Sequence, residues 1–273
     1  MPPPKPKPQI LTDFQGPLQV IAAGLPRCAT TTLKEMFENK GLLDVGPTMH
    51  MNRCLPSPAN MRMVYDALSE KDTQKRRDIL YKLFSGCAAT ADFPGHLFLE
   101  DLVEMYPDAK VILNIRKGGA EDWEASMKTT IAPFMTWQYR VACYWSAPDY
   151  WHYRCEVEWQ RLVQEKFGAD NFWDKEVYER HNEWVKQVCR AKGREVIVWE
   201  PSMGWGSLCE GIGRKVPDAD VPRTNDRAKM EKIVGWRIKL GLSLWMKKVC
   251  VPTAVAIPVG LGIMQAINVR MMV

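Results

Sequence analysis

The stretch Leu-Gln-Val-Ile-Ala-Ala-Gly-Leu-Pro-Arg-Cys-Ala-Thr-Thr-Thr-Leu, from Leu18 to Leu33, constrains this chain more than any other. Leu18 to Ala23 is a short apolar run of the kind that forms a buried strand, Gly24, Pro26 and Arg27 follow as a turn, and from Thr30 the apolar positions recur at helical spacing. A strand that passes through a tight loop into a helix suits an anion. The first N–H groups of a helix have no intrahelical partner, and the positive end of its dipole points into the loop. Thr30 and Thr31 add hydroxyls there, and Arg27 adds a guanidinium fork. Laid over the nucleotide-binding pattern G-x-x-x-x-G-K-[ST], Gly24 matches, Ala29 stands for the second glycine and Thr30 for the lysine. That lysine reaches the β- and γ-phosphates of a triphosphate, so a loop without it suits one terminal phosphate better than hydrolysis of ATP or GTP. For these residues alone, an ordinary strand-to-helix turn inside a core is the alternative.

Pro26-Arg27-Cys28-Ala29-Thr30-Thr31-Thr32-Leu33 resembles the P-[KR]-x-G-T-T-x-L loop of sulfotransferases that use PAPS, 3′-phosphoadenylyl sulfate. With Gly-Leu before it, the wording is closest to a sulfotransferase-like P-loop group common in fungi. The resemblance implies a three-layer P-loop α/β fold, of the nucleoside triphosphate hydrolase type, with a mostly parallel central sheet. It also implies that Pro26 to Thr32 hold the 5′-phosphosulfate of PAPS. Ala29 departs from the family's glycine and puts a methyl beside the anion.

A chain of 273 residues, 46% hydrophobic, is long enough for one sizeable core, and a single α/β domain is expected. Its net charge of +5 is spread along the sequence, with no basic arm and no interleaved aromatic motif, which argues against a nucleic-acid partner. Eight cysteines show no C-x-x-C pair, so reduced thiols in a cytoplasmic compartment fit better than zinc or a disulfide framework. Residues 1–17 carry six prolines and no secretory core, and read as a disordered lead-in.

After the loop, a first helix is expected from Thr31 to Lys40, closed by Gly41, then a Gly-, Pro- and Asn-rich loop over 42–58 that contains His50. A heavily charged helical stretch covers 59–84. Gly86 to Ala91 reads as a strand ending on Asp92, 95–106 as helix, and Lys110 to Ile115 as the clearest strand, ending on Arg116. Strand, helix, strand at these short separations implies parallel pairing. A helix from about Glu121 to Thr130 carries Ser126. The Trp- and Tyr-rich stretch 132–159 packs a helical core or a lid, or lines an acceptor pocket. A helix over 176–191 leads to a last strand, Glu195 to Trp199, ending on Glu200.

The last residues differ. Val249 to Ile267 contains nineteen residues without formal charge. At helical rise that is about 28 Å, close to the roughly 30 Å of a hydrocarbon core, so a tail anchor with the domain on the cytoplasmic side is expected, against a hydrophobic flap docked on the domain. The expected division is therefore a lead-in 1–17, a domain 18–235 and a tail 236–273.

Ligands of open α/β sheets bind outside the carboxyl ends of the strands. The expected strand ends bring Gly24 to Arg27, Asp92, Arg116 and Glu200 to that edge. By the resemblance, Arg116 and Ser126 hold the 3′-phosphate of PAPS, although their spacing is about two residues longer than the family's, with a bulge at Gly118-Gly119 as the simplest remedy. Asp92 occupies the position of the catalytic His of cytosolic members, and His50 that of the Glu used by others. Either is the expected proton acceptor, with Arg27 stabilising developing charge. The scheme needs no metal. An aspartate, with a reference pKa near 3.9, serves well as a base only if burial raises it. The expected activity is sulfuryl transfer from PAPS to a hydroxyl or amine of a small molecule; the alternative is a membrane-attached binding or scaffold protein that keeps the fold without turnover.

Overall fold

A computed structural model describes residues 12–222 and 226–250. Five strands form one sheet in the order β2-β3-β1-β4-β5, every pair parallel: β1 (Val20–Ala22), β2 (Thr48–Met49), β3 (Ala89–Thr90), β4 (Lys110–Asn114) and β5 (Val196–Trp199). The helices are α1 (Thr30–Glu38), α2 (Met51–Cys54), α3 (Pro58–Ser69), α4 (Thr73–Phe84), α5 (Leu99–Met105), α6 (Gly119–Thr130), α7 (Trp137–Ala142), α8 (Ala147–Phe167), α9 (Lys175–Ala191), α10 (Gly206–Ile212) and α11 (Asp226–Trp245).

Alternation along the strands makes three layers. Ile21, Val111 and Leu113 face one cluster with Met61 and Val64 of α3, Leu80 of α4, Leu102 of α5 and Val185 of α9. Val20, Ala22 and Ile112 face the other way, onto Leu33, Met36 and Phe37 of α1 and Leu208 of α10. Helices therefore cover both faces of the all-parallel sheet, as the strand–helix–strand reading requires.

Some local readings are corrected. The first helix ends at Glu38 rather than at Gly41, with Asn39 extended at φ −84°. The Glu38 carboxylate then accepts from the Thr48 amide and Arg53, both at 2.9 Å, and so ties the end of α1 to β2. Strand β2 lies inside the stretch expected to be loop; it is two residues long and follows Pro47. The charged stretch is two helices rather than one, broken where Asp72 accepts from the Lys75 amide and caps α4.

The folded part begins before Leu18. The Thr12 hydroxyl donates to the Gly86 carbonyl, and Phe14 packs against the β1–α1 core. At the other end, α11 runs through residues 235 and 236 and docks on α7 and α8: Arg237 Nη1 lies 2.8 Å from Asp149 Oδ1 in a buried ion pair, and Val234 and Ile238 pack on Phe134 and Tyr139. Among the described residues no helix is long and apolar enough to cross a membrane, and nearly all of Val249 to Ile267 lies outside them.

Candidate anion-binding and transfer site

The carboxyl edge of the sheet carries, from β2 to β5, His50, Asp92, the loop Gly24–Ala29, Arg116 and Glu200. The central position of β1 places its loop between an acid–imidazole side and a cationic side. Gly24 is required at the loop's start, because a Cβ there would sit 2.0 Å from the Asn114 carbonyl oxygen. Two residues of the loop take left-handed backbone, Arg27 at φ 70° and Ala29 at φ 57°. Ala29 is the N-cap of α1 and supplies no side-chain cap. By contrast His50, Ser57, Asp72 and Thr136 cap their own helices. The amides at the start of α1 are thus left to the loop and to whatever anion enters it.

The loop is held from below. Asn114, fully buried at the end of β4, accepts from the Gly24 amide at 2.9 Å and donates to the Cys28 carbonyl at 2.8 Å, spanning the turn. Trp123 Nε1 donates to the Pro26 carbonyl at 2.8 Å. Thr30 and Thr31 line the adjacent cavity, while Thr32 is buried. Cys28 is buried too, and burial pushes its thiol up to about 12, so it takes part through its backbone and not as a thiolate.

Arg116 and Ser126 both reach the loop. Arg116 Nη1 donates to the Arg27 carbonyl at 2.8 Å, Arg27 Nε donates to Ser126 Oγ at 3.2 Å, and the Arg116 amide donates to the Tyr178 hydroxyl at 3.0 Å. Between Arg116 and Ser126 the Gly119 amide turns back to the Arg116 carbonyl at 3.0 Å, with Gly119, the first residue of α6, at φ 70°. Arg116 Nε is buried without a partner. A buried guanidinium N–H left open beside uncapped helix amides fits an anionic phosphate.

On the other side of the loop the two candidate bases meet. His50 Nε2 lies 3.5 Å from Asp92 Oδ2, and both residues are buried. His50 Nδ1 accepts from the Asn52 amide at 3.2 Å, which leaves the ring proton on Nε2, facing the carboxylate. Asp92 sits at φ 74°, a region that Asp tolerates better than most residues and that recurs at functional sites. Arg27, Thr30, Thr31, His50 and Asp92 share the wall of one cavity of about 140 Å³. Leu55, Phe93, Ile131, Phe134 and Trp159, with Met230 and Ile233 of α11, make the apolar part of its wall, and Asn52, His152 and Glu156 add polar groups. Glu200 does not line this cavity; Ser202 donates to its Oε1.

Residues 19–230 match the family described as Sulfotransferase domain. The chain belongs to the sulfotransferase-domain family. It is also similar to the Ava biosynthesis cluster protein M of Aspergillus versicolor, 25% identical over 222 residues that cover 75% of this chain and 80% of that protein. The match takes in all five strands of this sulfotransferase domain and stops inside α11.

Sequence reasoning passed over Asn114, Trp123, Tyr178, His152 and Glu156. The signal for Asn114 was present, a lone amide ending an apolar central strand. The others lie in helices whose facing no local pattern announces. The aromatic stretch has divided fates: Phe134 and Trp159 line the cavity, Tyr139 is core, and Trp137 and Tyr144 are exposed. Beyond Trp159 lies a larger cavity of about 400 Å³ whose lining includes Leu25, His96 and His181. It contains none of the cations, hydroxyls or acids that line the smaller cavity.

Proposed function

We propose that this domain transfers a sulfuryl group from PAPS to a hydroxyl or amine of a small-molecule acceptor. The observation that carries the reading is the sharing of one cavity by Arg27, Thr30 and Thr31 with the buried Asp92–His50 pair. PAPS supplies an activated sulfuryl group on a phosphate leaving group. The amides at the start of α1, with Arg27 and Thr30–Thr31, hold the phosphosulfate end, and Arg116 with Ser126 takes the 3′-phosphate. The Arg116–Arg27 carbonyl bond fixes the two anion subsites relative to each other.

Asp92 accepts the proton of the acceptor hydroxyl as its oxygen bonds to sulfur and the bond from sulfur to the phosphate oxygen breaks. The His50 Nε2–H steadies the carboxylate, which makes Asp92 the base and His50 its positioning partner. Arg27 and the helix amides offset the charge that develops on the leaving oxygen. The apolar part of the wall, Phe93, Phe134 and Trp159 among it, limits water at the reacting atoms. A small-molecule acceptor agrees with the size of the cavity, and the name of the relative speaks of a biosynthesis cluster.

The test is transfer from radiolabelled PAPS to small phenols by wild type, Asp92→Asn and His50→Gln. Asp92→Asn should lower the rate on the order of a hundredfold or more, the usual contribution of a general base, with affinity for PAP, the desulfated product of PAPS, nearly intact. Turnover unchanged in Asp92→Asn and lost in His50→Gln moves the base to His50. Turnover unchanged in both leaves the mechanism without a proton acceptor and refutes it.

A further inference from the structure

The buried stripe of α8 reads Asp149, His152, Glu156, Trp159, Val163, residues three and four apart on one helix face. Its first half is polar, which is costly inside a protein unless each group finds a partner. Asp149 does: the Tyr139 hydroxyl donates to it at 2.6 Å, Arg237 Nη1 at 2.8 Å, and Ser146 Oγ donates as well. That residue is a structural clamp between α7, α8 and α11.

His152 and Glu156 are different. His152 Nε2 lies 3.0 Å from Glu156 Oε1, but His152 Nδ1 and Glu156 Oε2 are buried with no partner, and both residues line the cavity of the loop site. They are 4% and 2% exposed, so almost none of either side chain is open to the surface. The His152 ring is fixed edge-on to Phe134, with centroids 5.1 Å apart. A carboxylate oxygen can only accept a hydrogen bond. The group that completes it must therefore donate.

Resting on the sulfotransferase reading, we propose that His152 and Glu156 form the specificity anchor for the acceptor, which is a molecule with an apolar body and a second hydrogen-bond-donating group, hydroxyl or ammonium, besides the one that is sulfated. The body lies against Phe134, Trp159, Met230 and Ile233, which line the same cavity as Glu156, and the second donor pairs with the Glu156 carboxylate. An acceptor without that donor leaves a buried charged acceptor unpaired, the arrangement by which polar sites discriminate most strongly.

Three probes of one body test this: 4-ethylphenol, 2-(4-hydroxyphenyl)ethanol and 4-(2-aminoethyl)phenol, titrated calorimetrically into the full chain with and without saturating PAP. The two bifunctional probes should bind at least tenfold more tightly than 4-ethylphenol, and Glu156→Gln, which keeps the shape of the side chain, should shrink that preference to within about threefold, mainly for the amine. Equal affinity of the wild type for all three probes, no binding of any at millimolar concentration, or an undiminished preference in Glu156→Gln overturns the inference. PAP binding is read separately. If PAP fails to bind while the preference stands and depends on Glu156, the anchor survives and the sulfuryl-transfer reading falls; if PAP binds and the preference is missing, only the anchor falls.

Discussion

Replacing Ala29 by glycine probes the anion loop where its backbone is most constrained. Ala29 holds φ 57° and ψ 29°, a left-handed conformation that costs an L-residue about 1–2 kcal/mol. Glycine removes that cost but gives the unfolded chain more freedom, about 0.4–1 kcal/mol. It also removes a half-buried methyl that packs against the β1–α1 core, about 0.4 kcal/mol for half a methylene's worth of burial. The balance is a gain of about 0.5 kcal/mol, or about 1 to 2 °C in the melting temperature of a domain this size. Ala29→Val amplifies the same term with the opposite sign, because a β-branched residue is a genuine outlier there; it should lose about 1–3 kcal/mol. Since the loop already has its shape with alanine, PAP affinity should change by less than about threefold in Ala29→Gly. The assay is thermal unfolding of the three proteins side by side, with and without PAP. A glycine variant that melts lower than wild type, or a valine variant that melts at the same temperature, would refute the assignment of strain to this residue.

Other perturbations separate the scaffold of the site from its chemistry. Asn114→Leu leaves the buried Gly24 amide and Cys28 carbonyl without their side-chain partner, and should cost about 2–5 kcal/mol in chemical denaturation with loss of PAP binding; retention of both would show that the loop stands without its staple. His181, buried and bonded to the Ala23 carbonyl at 2.8 Å, is held down to about 4 by burial, below its ordinary value of 6.5. Its native form therefore binds fewer protons than the unfolded chain below about pH 6.5, so stability falls as pH drops from about 6.5 toward 4, by on the order of 3 kcal/mol. His181→Gln, which keeps a donor without the titration, should flatten the loss of melting temperature between pH 7 and pH 5. An unchanged slope would place the acid sensitivity elsewhere, His96 being the next buried imidazole held neutral.

The parts of this protein that follow from local sequence were legible, and the parts set by tertiary contact were not. Leu18 to Ala23 and Lys110 to Ile115 read as strands because a central parallel strand is apolar on both faces, and their carboxyl ends then placed Arg27 and Arg116 on one edge. Thr48–Met49 carries too few residues for any period, so β2 was invisible, and with it the reason that His50 stands beside Asp92. The two residues read as rival bases are neighbours; sequence separation hid a contact that the β2–β3 pairing creates. Gly41 invited a helix end that Asn39 supplies instead, because the Glu38 bonds to Thr48 and Arg53 fix where α1 stops. Composition of the aromatic stretch could not divide cavity wall from core, since Trp159 and Tyr139 differ only in what lies opposite them. The same holds for His152 and Glu156, ordinary polar helix residues by pattern until their burial is seen.

The most direct test of the account is calorimetric titration of the full chain with PAP, adenosine 5′-monophosphate and ATP, repeated on Arg116→Ala. With Arg116 and Ser126 as the proposed second phosphate subsite beside this lysine-free loop, the chain should bind PAP in preference to both other nucleotides, and Arg116→Ala should cut PAP affinity by tenfold or more while changing that of the monophosphate far less. Equal affinity of the wild type for PAP and adenosine 5′-monophosphate, or an equal loss for both in Arg116→Ala, would contradict the 3′-phosphate assignment on which the sulfuryl-donor reading stands.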